Sequence, residues 1–454
     1  MVPASRVQMP GAVCRAGTTL RRAEVLIVGG GPAGATSAIR LAQLGHRVVL
    51  LEKSHHPRFH IGESLLPANL PLFEQLGVAE AVRSIGMQKW GAEFVSPADG
   101  RCQEFEFAHA WDKSLPLAYQ VRRSQFDEIL LRRAAACGVE VIEGCRAREI
   151  DLDEAQRVIR VHAEHEDGRA ITFEPQELID ASGRDTLLGR RLDIKRRNPR
   201  HNSSALYAHF QGAQRAGGRR EGNITIFWFD HGWFWFIPLA DGATSVGAVV
   251  WPSYLKSRAV GVREFFLETI ELCAPLAARL RGAQLCTEVE ATGNYSYSCE
   301  RSYGPNYVLV GDAFAFVDPV FSSGVMLAMT GGWAAAEAID EGSRHPERAA
   351  RARARFDRLT RHGPRQFSWF IYRVTNPTMR ELFLAPRNWL RMEEALLSVL
   401  AGDIFGPTPI WASLRAFKGI YYLISMAHPG RSMRAARRRA RELEAARPAA
   451  DGSG

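Results

Sequence analysis

Three consecutive stretches decide the fold: Ala23-Glu-Val-Leu-Ile-Val28, then Gly29-Gly-Gly-Pro-Ala-Gly34, then Ala35-Thr-Ser-Ala-Ile-Arg-Leu-Ala-Gln-Leu-Gly45. The first is a short β-branched run, the second a glycine turn, and the third has helical periodicity and stops at a glycine. His46-Arg-Val-Val-Leu-Leu51 reads as the next strand and delivers Glu52, 23 positions beyond Gly29. A glycine at 29 allows the tight turn, Gly31 lets backbone approach a diphosphate, and Gly34 lets helix lie on strand. Ala33 sits among them at the helix start, where free N–H groups and the helix dipole favour an anion. Glu52 is then placed to accept hydrogen bonds from ribose hydroxyls, and a carboxylate there disfavours a 2′-phosphate, hence NADP. The reading is an α/β, Rossmann-like dinucleotide unit.

Working outward, 454 residues imply two or three structural units, and 46% hydrophobic with 24% charged residues are the proportions of a globular chain. The net charge of +9 is local: Arg431 to Arg447 holds seven arginines against two glutamates, and residues 1–22 hold four arginines and no acid. The Arg/Ala alternation of the tail reads as a solvated helix, with an acidic carrier protein or a lipid surface as the other reading. No aromatic interleaving supports nucleic acid. The seven cysteines are scattered without CxxC pairs or metal spacing, as in reduced thiols of a cytoplasmic protein with no metal site. No uncharged apolar run of about 18 residues suggests a transmembrane segment, and residues 1–22 lack a secretory apolar core and read as a flexible extension.

A second strand, Tyr307-Val-Leu-Val310, breaks at Gly311-Asp312 and leads through Asp318-Pro319 into Phe321-Ser322-Ser323-Gly324 and a helix. Together with Leu178-Ile-Asp180-Ala-Ser-Gly183, this resembles the flavin motifs of the FAD-dependent aromatic hydroxylase superfamily. The resemblance implies that Asp312 binds the ribityl chain, that Gly311 and Pro319 flank the flavin, and that Asp180 belongs to the cofactor shell. Only one glycine fingerprint is present, so no dedicated NAD(P)H domain is found, which leaves room for a separate NAD(P)H-dependent flavin reductase.

Trp233-Phe-Trp235-Phe-Ile237-Pro238 is similar to the WxWxIP signature of flavin-dependent halogenases, and Gly62-Glu63-Ser64-Leu65-Leu66-Pro67 resembles their GES-L-P loop. If Trp233 to Pro238 is a strand, both indoles face one side. The resemblance implies that Trp233, Trp235, Ile237 and Pro238 separate flavin from substrate. It makes Lys89, in Gly86-Met-Gln-Lys89-Trp90-Gly91-Ala92, the catalytic residue that presents hypohalous acid or captures it as a haloamine, partly desolvated by neighbours such as Trp90. Ser323 and Gly324 are the expected halide-binding residues. Gly29, Gly31, Ala33, Gly34, Glu52, Lys53, Glu63, Ser64, Arg123, Asp180, Gly311, Asp312 and Pro319 form the expected cofactor shell, with Arg123 taken from the family-like stretch Gln120 to Asp127. Many relatives carry His where Met326 stands, which removes a proton-handling group.

The expected fold is an FAD-binding Rossmann-like domain of the aromatic hydroxylase type with an inserted antiparallel substrate sheet and a C-terminal helical region. The divisions are an FAD-binding part at 23–200 with a substrate insertion near 85–120, a β-sheet substrate domain at 201–300, a return to the FAD-binding part at 301–345, helices at 346–430 and a basic tail at 431–454. The implied chemistry uses reduced FAD, O2 and chloride or bromide to halogenate an electron-rich arene, a phenol or pyrrole, free or as an acyl group on a carrier protein. The glutamate of free-tryptophan halogenases has no equivalent that can be placed, which favours these classes. An aromatic monooxygenase, which would oxidise NAD(P)H alone and ignore halide, a prenyl reductase and a flavin-stabilised binding protein are the rival readings.

Overall fold

The computed structural model describes residues 19–97, 100–293, 296–406 and 408–445. Residues 1–18, with Cys14, and 446–454 of the basic tail lie outside them. The opening strand β1 runs Thr19–Val28, four residues earlier than the apolar pattern required. The amphipathic stretch Thr19–Arg22 is drawn into pairing with Ile171–Glu174, so it does not belong to a free extension.

Helix α1 (Pro32–Gln43) follows the glycine turn, and β2 (Val48–Leu51) returns beside β1. The chain then leaves the nucleotide unit through β3 (Met87–Lys89) and β4 (Gly91–Val95), re-enters it at Glu140–Ile142, which pairs with β2, and returns beside β1 as β5 (Ala170–Asp180). In register, Val28 lies beside both Leu51 and Asp180, and the carboxyl ends of the three strands converge. That edge is where a doubly wound sheet binds its ligand.

A second sheet is built from β6 (Ser204–Gln211), β7 (Ile224–Phe229), β8 (Gly232–Pro238) and β9 (Ala243–Val250), paired antiparallel in the order β6-β9-β8-β7. The sheet is antiparallel as expected through these four strands, and one edge adds a parallel pairing: β7 pairs in parallel with β4, and Cys102–Glu106 extends the sheet beyond it. Residues near 85–120 therefore supply two strands of this second sheet. The strip Trp233-Phe-Trp-Phe is buried on both sides, and alternation divides its work. Phe234 and Phe236 pack in one cluster with Phe265, Phe266 and Ile270, while Trp233, Trp235 and Ile237 join a cluster containing Phe367, Phe370 and Leu396 from the C-terminal helices.

Strand β10 (Tyr307–Leu309) pairs with β5 and brings Asp312 back to the convergent edge. Helix α2 (Gly324–Arg344) lies against α1, and α3 (Ala349–Ile371) contains Pro364 within it. The tail division at 431 falls inside helix α4 (Pro429–Ala445). That helix is solvated on one face and docked on the other: Arg439 donates to the Arg200 carbonyl at 2.5 Å, Glu442 bonds Ser253, and Arg431 pairs with Glu381. Among the described residues no helix is long and apolar enough to cross a membrane.

Candidate active site

The convergent strand ends open into a cleft of about 470 Å³, within the range of small-molecule sites. Gly29 sits at φ +107°, and a Cβ there would stand 2.2 Å from the Ala181 carbonyl oxygen. A Cβ on Gly34 would stand 1.9 Å from the Gly29 carbonyl, whereas Gly31 is open to the cleft, with the Arg58 guanidinium 3.6 Å away. Buried Glu52 is held by the Gly30 amide at 2.7 Å and the Ser54 amide at 3.0 Å, with Arg58 at 3.7 Å.

Of the residues expected in the cofactor shell, Gly29, Gly31, Ala33, Glu52, Lys53, Glu63, Ser64, Arg123, Asp312 and Pro319 line this cleft. Lys53 is exposed and pairs with Asp185 at 2.5 Å. Arg123 is buried, grips Asp127 through two hydrogen bonds of 2.8 and 3.0 Å, and donates to the Ile61 carbonyl. Burial pushes the Asp312 carboxyl up to about 6, with Arg184 and Arg123 pulling the other way. Gly34 and Gly311 stand behind the lining, Gly34 as the helix-on-strand contact and Gly311, at φ +57°, packed against Ala33 and Ala328. Asp180 does not reach the cleft. Its two carboxylate oxygens accept the Ser182 and Leu188 amides at 3.0 and 2.8 Å, so it fixes the loop that faces the ligand.

Trp233, Trp235 and Ile237 form one wall of the cleft, and Pro238 stands outside it. The two indoles are 6.1 Å apart and inclined by 53°. Trp235 Nε1 donates to Ser245 Oγ at 3.2 Å. Opposite it is Gly247, where a Cβ would lie 2.1 Å from the indole; only glycine leaves room for that ring.

Lys89 is buried at 1% exposure and lies beyond the cleft wall rather than on it. Its Nζ donates to Ser64 Oγ and to the Leu65 carbonyl, both at 3.0 Å, and lies 5.2 Å above the Phe107 ring. No carboxylate pairs with it among the described residues, and burial lowers the amine to about 7. Trp90 is not the desolvating neighbour: it is stacked under Arg219 at 3.9 Å, because alternate residues of an extended segment point to opposite sides. Ser64 faces the cleft and accepts from Lys89, so one hydroxyl links the cleft to the buried amine.

Gly324 lines the cleft, whereas Ser323 is buried behind it. Ser322, at φ +55°, turns the chain between Phe321 and the start of α2. Met326 is fully buried in the cluster beneath. Arg58, Phe59 and Tyr207 on the cleft wall and His209, buried 2.9 Å from Glu63, carry no motif in the sequence. A histidine in the otherwise apolar Ala205-Leu-Tyr-Ala-His209-Phe210 was a usable signal; the identity of its partner, 146 positions away, was not.

The model of the family described as tryptophan halogenase matches residues 24–114 and 98–381. The chain belongs to the tryptophan halogenase family. Among its relatives, a tryptophan 2-halogenase of Chondromyces crocatus is 35% identical over 70% of this chain and 60% of its own length. A 1H-pyrrole-2-carbonyl-[peptidyl-carrier protein] chlorinase of Pseudomonas fluorescens is 29% identical over 84% of this chain and 89% of its own. The solved structure of the myxobacterial chondrochloren halogenase, described as a variant of FAD-dependent halogenases, superposes with a TM-score of 0.74 at 31% identity, covering 87% of this chain and 93% of that one. This chain thus spans from about three fifths to nearly all of the relatives it resembles.

The cofactor of this halogenase family is FAD, used reduced with O2 and halide. The residues present fit it: two glycine positions that tolerate no Cβ, an open approach at Gly31 and a ribose-side carboxylate already oriented by two backbone amides.

Proposed function

We propose that this chain is an FADH2-dependent halogenase that chlorinates or brominates an electron-rich aromatic, phenol or pyrrole, in secondary-metabolite biosynthesis. The observation that carries the reading is the pairing of a flavin cleft walled by Trp233, Trp235 and Ile237 with a buried lysine, free of carboxylates, across a single serine. Reduced FAD, when bound, supplies the electrons for O2 activation, and halide is the group oxidised. Ser323 and Gly324 hold the halide at the start of α2, where free N–H groups point outward. The indole wall keeps the arene away from the flavin, so that the hypohalous acid, and not an oxygen of the cofactor, reaches it.

Lys89 then handles the electrophile. In its protonated form Nζ donates to the oxygen of the hypohalous acid. In its neutral form it attacks the halogen, releasing water, and the arene takes the halogen from nitrogen while losing a proton, which regenerates the amine. With the amine near 7, both forms are populated at neutral pH.

We place the supply of reduced flavin with a separate NAD(P)H-dependent reductase in the cytoplasm, and we take the arene to be free or carried by an acyl or peptidyl carrier protein. An acidic carrier has a surface to meet. A groove of about 1450 Å³ lies between the small strands near Arg196 and helices α3 and α4, lined by eleven arginines and one acid, Asp230. Arg365, Arg373 and Arg434 on it have no carboxylate partner among the described residues.

The test combines purified protein, FAD, NADH and an unrelated flavin reductase with an activated phenol, with and without bromide. A product with the halogen isotope pattern that requires bromide is expected. Added oxygen that ignores bromide would transfer the case to an aromatic monooxygenase.

A further inference from the structure

Behind the turn carrying Ser323 and Gly324 lies a buried polar cluster that neither the flavin cleft nor Lys89 uses. His201 and Ser203, in the segment entering β6, meet Asp318. His201 Nε2 is 2.7 Å from Asp318 Oδ2, and Ser203 Oγ donates to the same oxygen at 3.2 Å. The other oxygen, Oδ1, accepts the Val320 amide at 3.1 Å and so caps the turn. All three side chains are buried, and the imidazole stacks on Tyr372 at 6.0 Å.

Asp318, Ser323, Gly324 and Asp312 face a common cavity of about 40 Å³, which shares Asp312, Phe316 and Gly324 with the flavin cleft. The space holds a single small ion or water. Its two acids are a difficulty for a halide site, because like charges repel strongly where little water screens them. At Asp312 burial raises the carboxyl to about 6, which relieves the repulsion only below that pH. At Asp318 it is met by three donors, one from the turn itself and two from the neighbouring sheet domain.

We propose that His201 is a positioning residue that, through Asp318, fixes the Ser323–Gly324 turn and screens the Asp318 charge from the halide. The inference rests on the halide reading of that turn. It assigns His201 no contact with flavin or arene. Its role is to let a carboxylate cap the turn without expelling the anion that the turn receives.

The test is bromide binding to the FAD-loaded protein, followed by the perturbation of the flavin absorption spectrum. His201→Ala is expected to weaken bromide binding by about tenfold. His201→Gln, whose amide N–H reaches a similar point, should stay within about threefold of the parent. Asp318→Asn keeps an oxygen for the Val320 amide and removes the charge, so it should bind bromide as well as the parent or better, and should restore binding in the His201→Ala background. A purely structural role gives the opposite sign for Asp318→Asn and no rescue, and either result overturns the proposal. Should His201→Ala not fold, Asp318→Asn and His201→Gln decide it alone. A parent spectrum indifferent to bromide would remove the halide reading itself, whereas a responsive parent whose His201→Ala variant binds bromide unchanged removes only the role of His201.

Discussion

Lys89 is the residue on which the chemistry turns, and its surroundings make an unusual prediction. A buried amine with its folded-state pKa near 7, below the ordinary 10.5, binds its proton more weakly in the folded than in the unfolded chain. The unfolded state therefore holds more protons between about pH 7 and 10.5, and stability rises with pH across that window. Below 7 the full cost is present; above 10.5 it is gone. Lys89→Met should accordingly be as stable as the parent or more so, with its advantage largest at pH 6 and vanishing toward pH 10, as read from urea midpoints. The same variant should lose halogenation of an added arene by at least about a hundredfold while still generating hypohalite, a loss of the size typical for a group acting at the reacting atom. A destabilised Lys89→Met with unchanged arene halogenation would show the lysine to be structural. The resemblance of Lys89 and its neighbours to a known motif made the residue readable in the sequence; its depth, and its pairing with Ser64 rather than an acid, were not. The same holds for His201 and His209, whose partners lie 117 and 146 positions away, distances over which composition and periodicity carry no information.

At the scale of the element, strand β8 shows what alternation can and cannot give. The period of two placed Trp233, Trp235 and Ile237 on one face, and the structure puts that face on the cleft. It did not reveal that Gly247 on β9 makes the space for Trp235, because cross-strand register is set by turns and neighbours outside the motif. Gly247→Ala should cost about 1–3 kcal/mol, the usual penalty of overfilling a packed core, and should weaken FAD binding as the indole is pushed into the cleft. Urea unfolding and flavin fluorescence titration measure the two effects; a variant that matches the parent in both would show that the wall tolerates movement. The glycine turn after β1 was readable because only glycine satisfies both φ +107° and the approach to Ala181 at position 29. The parallel pairing of β4 with β7 was not, since 132 positions separate Ala92 from Ile224 and both are simply apolar strands. Asp180 failed for a related reason: an acid at a strand end looks alike whether it faces ligand or caps its own loop.

Over the whole molecule, the two sheets and the C-terminal helices leave a cationic groove that shares no lining residue with the cleft, with the docked helix α4 as one wall. The basic charge of the tail was visible in composition; that its arginines combine with Arg196, Arg200 and Arg365 into one concave surface needed the fold. If a carrier protein docks there, Arg365→Glu with Arg434→Glu should raise KM for a carrier-borne pyrrole by about tenfold or more and leave a free phenol unaffected, since both residues are exposed, absent from the cleft lining, and act through long-range attraction. Equal KM values on the carrier-borne substrate would send the partner elsewhere. Halogenation by this chain is decided by one turnover without any reductase. Protein loaded with chemically reduced FAD under anaerobic conditions is mixed with air-saturated buffer containing bromide and an activated phenol, quenched, and analysed by mass spectrometry. Brominated phenol, at no more than one per flavin and absent without bromide, is the expected result; phenol carrying a new oxygen with or without bromide would contradict it.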